Sequence, residues 1–228
     1  MNVRNRAHPG PIAGLPGEAF DHGLISRFNA WFFTAFSRYI NHIARDHKQH
    51  AFAGLNARTV VEIGTGTGAN FDVIPPGTDL IAVEPNLRMH DRLHQRSAAA
   101  GVTVTVLPTG AESIPLPDGS VDEVICSLVL CTVNDPEQAI AEVRRVLRPG
   151  GRFRFVEHVA APQPGFRHTV QRLIRRPWGW LFEGCDPDRH TPQVLERAGF
   201  SAVRIERSRF RHSLFWPVNT AIWGVAVN

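Results

Sequence analysis

The sequence predicts an α/β fold, with a doubly wound, mostly parallel sheet and an N-terminal helical lid. Three observations lead to this class. From residue 59 onward, short β-rich runs alternate with longer helical patterns, and this order builds a parallel sheet with helices on both faces. A glycine-rich loop follows the first β-rich run, and an amphipathic helical segment precedes that run.

Length and composition limit the number of domains. The chain has 228 residues, with 43% hydrophobic and 20% charged residues, which suits one globular domain with room for a lid. We expect a flexible arm over residues 1–22, because its first part is rich in glycine and proline, then a helical lid over 23–50. The α/β domain is predicted over 51–228.

Charge and cysteine content exclude several classes of protein. The net charge is +4 with 25 basic residues, but the arginines are spread along predicted helix faces, so no nucleic-acid partner is expected. Three cysteines are too few for a disulfide framework. No CxxC or HExxH spacing occurs, so no metal site is predicted. Without a leader or an apolar run of ~20 residues, we expect a cytoplasmic protein with no stable membrane insertion.

The first predicted element is helical. Apolar residues recur every three or four positions between Leu24 and Ile43, among them Phe28, Trp31 and Phe32. One or two amphipathic helices are predicted from about residue 23 to 50. Their aromatic face fits a lid over an acceptor pocket, with Val133 and Trp178 on other walls. An ordinary packing face and weak membrane-surface association remain open.

The remaining elements follow in alternation. Strands are predicted at Thr59–Ile63, Leu80–Glu84, Thr103–Leu107, Glu123–Ser127, Arg152–Glu157, Ala202–Glu206 and Ala221–Val227. Helices are predicted at Asn86–Ala100, Pro136–Leu147 and Thr191–Ala198. The last two strands have no obvious helix between them, which favours an antiparallel hairpin at one edge.

The loop after the first strand carries the sharpest signal. It contains Gly64, Gly66 and Gly68, and glycine lets a backbone approach a ligand closely at positive φ. In a nucleotide-type fold this loop lies in the ligand crevice. The pattern also satisfies the dinucleotide fingerprint GxGxxG/A, but the third glycine gives GxGxG, and a helical segment precedes the strand.

A carboxylate and a helix cap follow the second strand. Glu84 ends that strand 22 residues after Glu62, where it can accept hydrogen bonds from ribose hydroxyls in either nucleotide class. Asn86 comes two residues later and is a good N-cap for the next helix.

With the segments at 109–122 and 144–151, this order of motifs resembles the class I S-adenosylmethionine-dependent methyltransferases, particularly the ubiquinone/menaquinone methyltransferase-like group. The resemblance implies strand order 3-2-1-4-5-7-6 with strand 7 antiparallel, and S-adenosyl-L-methionine as cofactor with S-adenosyl-L-homocysteine as product. The cofactor contacts that it implies are Glu62, Gly64, Thr65, Gly66, Gly68, Glu84, Pro85, Asn86, Met89, Gly110, Ala111, Glu112, Cys126, Ser127 and Leu128. Many relatives carry aspartate where Gly110 stands, so that adenine contact must come from elsewhere.

A narrower likeness extends to the C-terminus. The segments 68–71, 128–131, 155–161, 184–185, 195–198 and 223–227 are similar to the methyltransferase-like thiol S-methyltransferases of animals. Those proteins carry an apolar N-terminal anchor, whereas this chain has a Gly/Pro stretch. The likeness implies a small-molecule thiol or sulfide as acceptor.

The chemistry of methyl transfer fits a soft acceptor. The sulfonium donor is already activated, so the protein mainly aligns the nucleophile with the methyl group, and a thiol is a few per cent thiolate at neutral pH. His158, after the fifth strand, is the candidate base, with Glu157 orienting it or binding the cofactor side. A backbone-bound structural histidine is the alternative. Cys131 and Cys185 are interpreted as small buried hydrophobes.

Two further hypotheses stay open at this point. The chain could methylate carbon or oxygen on a quinone-like, phenolic or natural-product acceptor, since acceptor pockets in this fold vary. It could also be a module that binds the cofactor or a partner without catalysis. The oligomeric state is not indicated by any feature of the sequence.

Overall fold

The computed structural model describes residues 18–228, and most of the predicted arm lies outside them. Within these residues, seven strands form one sheet: β1 Thr59–Ile63, β2 Asp79–Val83, β3 Thr103–Leu107, β4 Val121–Ser127, β5 Leu147–His158, β6 Ala202–Arg209 and β7 Thr220–Val227. Their order is β3-β2-β1-β4-β5-β7-β6. The strand β7 pairs antiparallel with both of its neighbours, β5 and β6, and the other neighbouring pairs are parallel. The predicted fold class and strand order are confirmed.

In the part of the chain that the structure describes, six α-helices flank the sheet: α1 Leu24–Ala35, α2 Ser37–Ala51, α3 His90–Ala100, α4 Pro136–Val146, α5 Phe166–Leu181 and α6 Thr191–Arg197. Asn86 accepts a hydrogen bond from Arg88 N at 3.0 Å, as its capping role predicts. That cap starts a 3₁₀ turn over Leu87–Met89, so α3 begins later than the sequence indicates. The sequence did not indicate α5, which contains Pro177.

The strand β5 begins five residues earlier than predicted. Leu147 pairs with Val121, whereas Arg152 pairs with Glu123, so residues 148–151 bulge out of the ladder. Gly150 has φ +78° in this bulge, which suits a residue without Cβ. After the bulge the ladder is regular, and it brings the carboxyl end of β5 beside that of β4 at one edge of the sheet.

Each face of the sheet packs a separate core, because side chains alternate along a strand. One face buries Val61, Val124 and Phe153 against α4, and the other buries Val60 and Ile125 against α2 and α3. Because β1, β2, β4 and β5 are parallel, their carboxyl ends lie at the same edge of the sheet. The loops that follow these strands lie at that edge. Ligand sites of doubly wound sheets lie at this edge.

The N-terminal helices cover that edge. Asn29 of α1 donates to Leu181 O at 3.0 Å, and Ser26 donates to Glu183 at 2.6 Å. Residues 18–22, the described end of the predicted arm, also lie against the body, since Phe20 N donates to Pro85 O at 2.8 Å. Among the helices described, none has the length and apolar character needed to cross a bilayer. The division into arm, lid and domain stays a prediction.

A buried ion pair fastens α2 to the sheet and gives a stability prediction. Arg154 bonds Glu123 at 2.8 Å and Ala53 O at 2.8 Å, and both charged side chains are almost fully buried. Arg154→Met would leave the buried Glu123 with only a longer ion pair to Arg152, at 3.7 Å, so the free energy of unfolding should fall by about 3–5 kcal/mol. Urea denaturation measures this loss.

The matched control is Arg148→Met, which removes an arginine from an ion pair with Asp122 that is more than half exposed. Exposed pairs contribute less than about 1 kcal/mol. Equal losses in the two variants would contradict the view that burial makes the Arg154 pair important.

Candidate functional site

A cavity of about 350 Å³ lies between the carboxyl edge of the sheet and the helices α1, α2 and α5. One end is formed by the loops after β1, β2 and β3. The other end is formed by the loop after β4, the end of β5 and the turn after α5. The two ends differ in chemistry and are described in turn.

The glycine loop forms the floor of the first end. Gly64, Gly66 and Gly68 have φ of +61°, +57° and +83°. A Cβ on Gly64 would collide with the Val129 side chain, and one on Gly68 would collide with the Phe71 ring. A Cβ on Gly66 would meet only the Met89 sulfur at 3.6 Å within the structure. Gly64 and Gly68 are therefore closely packed where a Cβ would stand, whereas Gly66 has open space at that position.

Glu84 braces this loop from the neighbouring strand. Its carboxylate accepts from Gly66 N at 2.7 Å and from Asn86 N at 2.9 Å. Burial raises the pKa of Glu84 to about 7 despite those two hydrogen bonds. The carboxyl group lines the cavity, so it can accept hydrogen bonds from a bound hydroxyl group.

Glu62 and Lys48 lie on one side of the loop, and the sequence did not indicate Lys48. Glu62 accepts from Asn70, and burial raises its pKa to about 7. Lys48 of α2 donates to Asn41 at 3.0 Å and to Ala69 O at 3.1 Å. Burial lowers the pKa of Lys48 to about 8. The lysine lines the cavity, whereas Glu62 does not.

Most of the predicted cofactor residues meet in the first end. Those that line the cavity are Gly64, Thr65, Gly66, Glu84, Pro85, Asn86, Met89, Gly110, Ala111, Glu112, Ser127 and Leu128. Three others do not line it: Glu62, Gly68 and Cys126. Gly68 faces the Phe71 ring, and Cys126 points into the core beside Glu157. These three therefore shape the site from behind.

Glu183 is a second residue that the sequence did not indicate. It adopts φ +47° in the turn after α5 and accepts from Ser26 at 2.6 Å and from Asn86 at 3.0 Å. The carboxylate thus joins α1, the turn and the loop after β2. Burial raises its pKa, and the side chain closes one wall of the cavity.

The second end is built around sulfur and imidazole. His158 ends β5, and its Nε2 lies 3.1 Å from Cys185 Sγ. Cys185 lies 3.6 Å from Cys131 Sγ, and all three side chains are buried on the cavity wall. The pKa of the Cys131 thiol is raised well above its usual range, mainly by the hydrogen bond to Cys185 and secondly by burial.

Glu157 does not share this wall. Because neighbours on a strand point to opposite faces, it is directed beneath the sheet edge, where it accepts from Val129 N at 2.9 Å and Leu130 N at 3.2 Å. It is fully buried and outside the cavity lining. Glu157 therefore holds the loop after β4 and is not placed to contact an acceptor.

Aromatic side chains enclose the second end. Of the residues predicted for the acceptor pocket, Phe32, Val133 and Trp178 line the cavity, whereas Phe28 and Trp31 do not. Trp31 is 59% exposed, because the helical phase that turns Phe32 inward turns its neighbour outward. Phe182 completes this wall, together with two aromatic residues that the sequence did not indicate, Phe33 and Phe215.

Comparison with protein families supports a methyl-transfer site. A family model described as a methyltransferase domain matches residues 61–155. Human thiol S-methyltransferase TMT1A is 38% identical over 182 residues, which are 77% of this chain and 73% of that protein. Human thiol S-methyltransferase TMT1B is 39% identical over 173 residues, or 74% of this chain and 70% of that protein.

Solved structures show the same fold. An S-adenosylmethionine-dependent methyltransferase from Thermotoga maritima, described as a possible histamine N-methyltransferase, aligns with a TM-score of 0.63 at 22% identity, covering 89% of this chain and 99% of that one. One from Mesorhizobium loti aligns with a TM-score of 0.60 at 19% identity, covering 82% and 98%.

Proposed function

The chain belongs to the S-adenosylmethionine-dependent methyltransferase family that includes the thiol S-methyltransferases, and from this premise we propose that it methylates the sulfur of a small-molecule thiol or sulfide. S-adenosyl-L-methionine is the methyl donor of this family. The glycine loop and Glu84 would hold the nucleoside, and Lys48 stands beside the loop as the buried cation of that end.

The observation that carries the proposal is the second end of the same cavity. Its lining is aromatic and sulfur-rich around His158, which suits an apolar molecule with a soft nucleophile. A thiol needs little activation, because part of it is thiolate near neutral pH. The protein then has to exclude water and align the thiolate with the methyl group.

His158 remains the proposed proton acceptor at this end. It is the histidine that lines the wall beside Cys131 and Cys185, and its Nδ1 has no hydrogen-bond partner within the described residues. Its Nε2 must leave the Cys185 thiol before it can take a proton from an acceptor.

The proposed lid is formed by α1 and α2. Phe32 packs edge-on against Phe182 with ring centroids 5.2 Å apart, so the lid closes over the aromatic wall. Leu24 and Trp31 are exposed on its outer side. These two apolar side chains support no more than weak association with a membrane surface. We propose the cytoplasm as the compartment, since all three cysteines are free thiols.

Turnover on a matched panel of acceptors tests the function. Aliphatic thiols should be methylated with a higher kcat/KM than phenols of similar size, because phenols keep their proton to a pH near ~10. Methylation of phenols or quinone-like compounds with no turnover of thiols would instead support an oxygen or carbon acceptor.

Cofactor affinity should depend on pH through Glu84. Burial raises its pKa to about 7, and only the ionised carboxylate accepts from both ribose hydroxyl groups. Affinity for S-adenosylhomocysteine should therefore fall as the pH drops below about 7, by up to ~10-fold per pH unit. Calorimetry across this range measures the slope.

Glu84→Gln is the control for this slope, because its amide does not titrate. Two neighbouring acidic groups also influence the site: Glu183, which lines it, and Glu62, which lies behind the loop and interacts with Lys48. Any slope left in Glu84→Gln belongs to these groups or to the ligand. An unchanged slope would mean that Glu84 does not hold the ribose.

A further inference from the structure

Three potential metal ligands converge at the acceptor end from distant segments. Cys131 lies in the loop after β4, His158 ends β5, and Cys185 lies in the turn after α5. Their ligand atoms, two Sγ and one imidazole nitrogen, all lie within 4.8 Å of one another. All three residues are buried. We call this group the Cys–His–Cys cluster.

We propose that the Cys–His–Cys cluster binds one zinc ion and that the acceptor thiol binds the fourth coordination position of that ion. The evidence for the metal site is the Cys–His–Cys cluster, and this evidence does not depend on the identity of the acceptor. The part that concerns the acceptor rests on the proposed thiol S-methylation.

The spacing of the cluster suits a tetrahedral ion. Zinc binds thiolate sulfur at about 2.3 Å and imidazole nitrogen at about 2.0–2.1 Å, which places ligand atoms about 3.5–3.8 Å apart. The two sulfurs are 3.6 Å apart, and His158 Nε2 is 3.1 Å from Cys185 Sγ. Adjustments of a few tenths of an ångström would complete the geometry.

The surroundings also fit two bound thiolates. Trp178 Nε1 donates to Cys185 Sγ at 3.3 Å, and the Thr132 hydroxyl lies 3.5 Å from Cys131 Sγ. Such outer contacts orient metal ligands. Two thiolates would balance the charge of a divalent ion in this buried place. The nearby carboxylate of Asp186 is held by Arg175 at 2.6 Å.

The fourth position is open to the acceptor. All three ligands line the cavity, so the remaining vertex of a tetrahedron faces it, as in catalytic zinc sites. An acceptor thiol would lose its proton to water on binding, because a metal-bound thiol is deprotonated. Its sulfur then forms the new bond to the methyl carbon.

Methyl transfer then gives two products, S-adenosylhomocysteine and a thioether. The bond between the methyl carbon and the cofactor's sulfonium breaks, and its electron pair stays on that sulfur, giving S-adenosylhomocysteine. The thioether product carries no charge and is a weak ligand, which favours its release. His158 acts as a ligand in this arrangement, so the metal replaces it as the means of activating the thiol.

Metal binding can be tested without turnover. Zinc in the purified protein is measured by mass spectrometry, and the metal-free protein is titrated with Co²⁺ alone while thiolate-to-cobalt absorption is recorded. About one ion per chain is expected. Cys131→Ser, Cys185→Ser and His158→Gln should each weaken Co²⁺ binding by more than about 100-fold, since even an outer-shell change costs up to about that much.

Cys126→Ser is the matched control, because Cys126 is a buried cysteine bonded to Glu157 outside the cluster. It should bind Co²⁺ like the wild type. Calorimetric binding of S-adenosylhomocysteine at the glycine loop checks that each variant is folded. A change in the cobalt spectrum on adding an aliphatic thiol would support coordination of the acceptor.

The two proposals fail in different ways. A folded wild-type protein that binds S-adenosylhomocysteine and methylates thiols without binding zinc or Co²⁺ would overturn the metal site and leave the function standing. One ion bound through the cluster, with no thiol methylated, would overturn the thiol acceptor and leave the metal site standing.

Discussion

Gly66→Val is expected to reduce binding of S-adenosylhomocysteine by about 100-fold, because forcing a branched side chain into a filled site costs up to about 3 kcal/mol. Gly66 lines the cavity with open space at its Cβ position, and its φ of +57° disfavours a β-branched residue. Its N–H also donates to Glu84 at 2.7 Å. The substitution therefore alters both the space for the ligand and the brace beneath it.

Gly119→Val separates the effect on the cavity from backbone strain. Gly119 has a nearly identical φ of +56°, and a Cβ there would meet nothing within 4 Å. Thermal unfolding should show similar destabilisation of the two variants, whereas calorimetry should show lost binding only for Gly66→Val. Normal affinity in a folded Gly66→Val protein would remove the glycine loop from the cofactor site.

Glu84→Ala has the second largest expected effect on the cofactor. The carboxylate accepts from two backbone N–H groups that shape the loop, and it faces the predicted ribose position. Charge-assisted hydrogen bonds contribute about 1.5–3 kcal/mol, so affinity should fall by roughly 10- to 150-fold. Calorimetric titration with S-adenosylhomocysteine measures this loss.

Glu84→Gln separates the contribution of the charge from that of the hydrogen bonds. The amide oxygen can still accept from Gly66 N, but the charge is gone, so the loss at pH above about 7 should be smaller than in Glu84→Ala. Less than a twofold change in both variants would place the ribose elsewhere.

The sheet could be predicted from the sequence because its signals are local. The bounds of β1 and β3 are as predicted, since both runs are short, β-branched and flanked by turns. The helix α5 escaped prediction because Pro177 and Gly179 interrupt its pattern. The early start of β5 escaped because Pro149 and Gly150 normally end strands, and here they form a bulge.

The site was predictable where the backbone forms it. The glycine loop and Glu84 follow from strand ends that any doubly wound sheet brings together. Side-chain directions were less accessible, although alternation along β5 could have shown that Glu157 and His158 face opposite ways. Lys48 and Glu183 carry no motif, since they reach the cavity only through tertiary packing. The Cys–His–Cys cluster is likewise too widely spaced in the chain for any short zinc motif.

Methylation of one molecule that carries both a thiol and a phenol tests most directly whether sulfur is the acceptor atom. The compound 4-(2-sulfanylethyl)phenol offers an aliphatic thiol and a phenol to the same cavity. With methyl-labelled S-adenosylmethionine, mass spectrometry of the product identifies the atom that receives the label, and a reaction without protein corrects for background. If the protein is a thiol S-methyltransferase, the S-methyl thioether is the expected enzymatic product. The O-methyl ether, or no product above background, would contradict it.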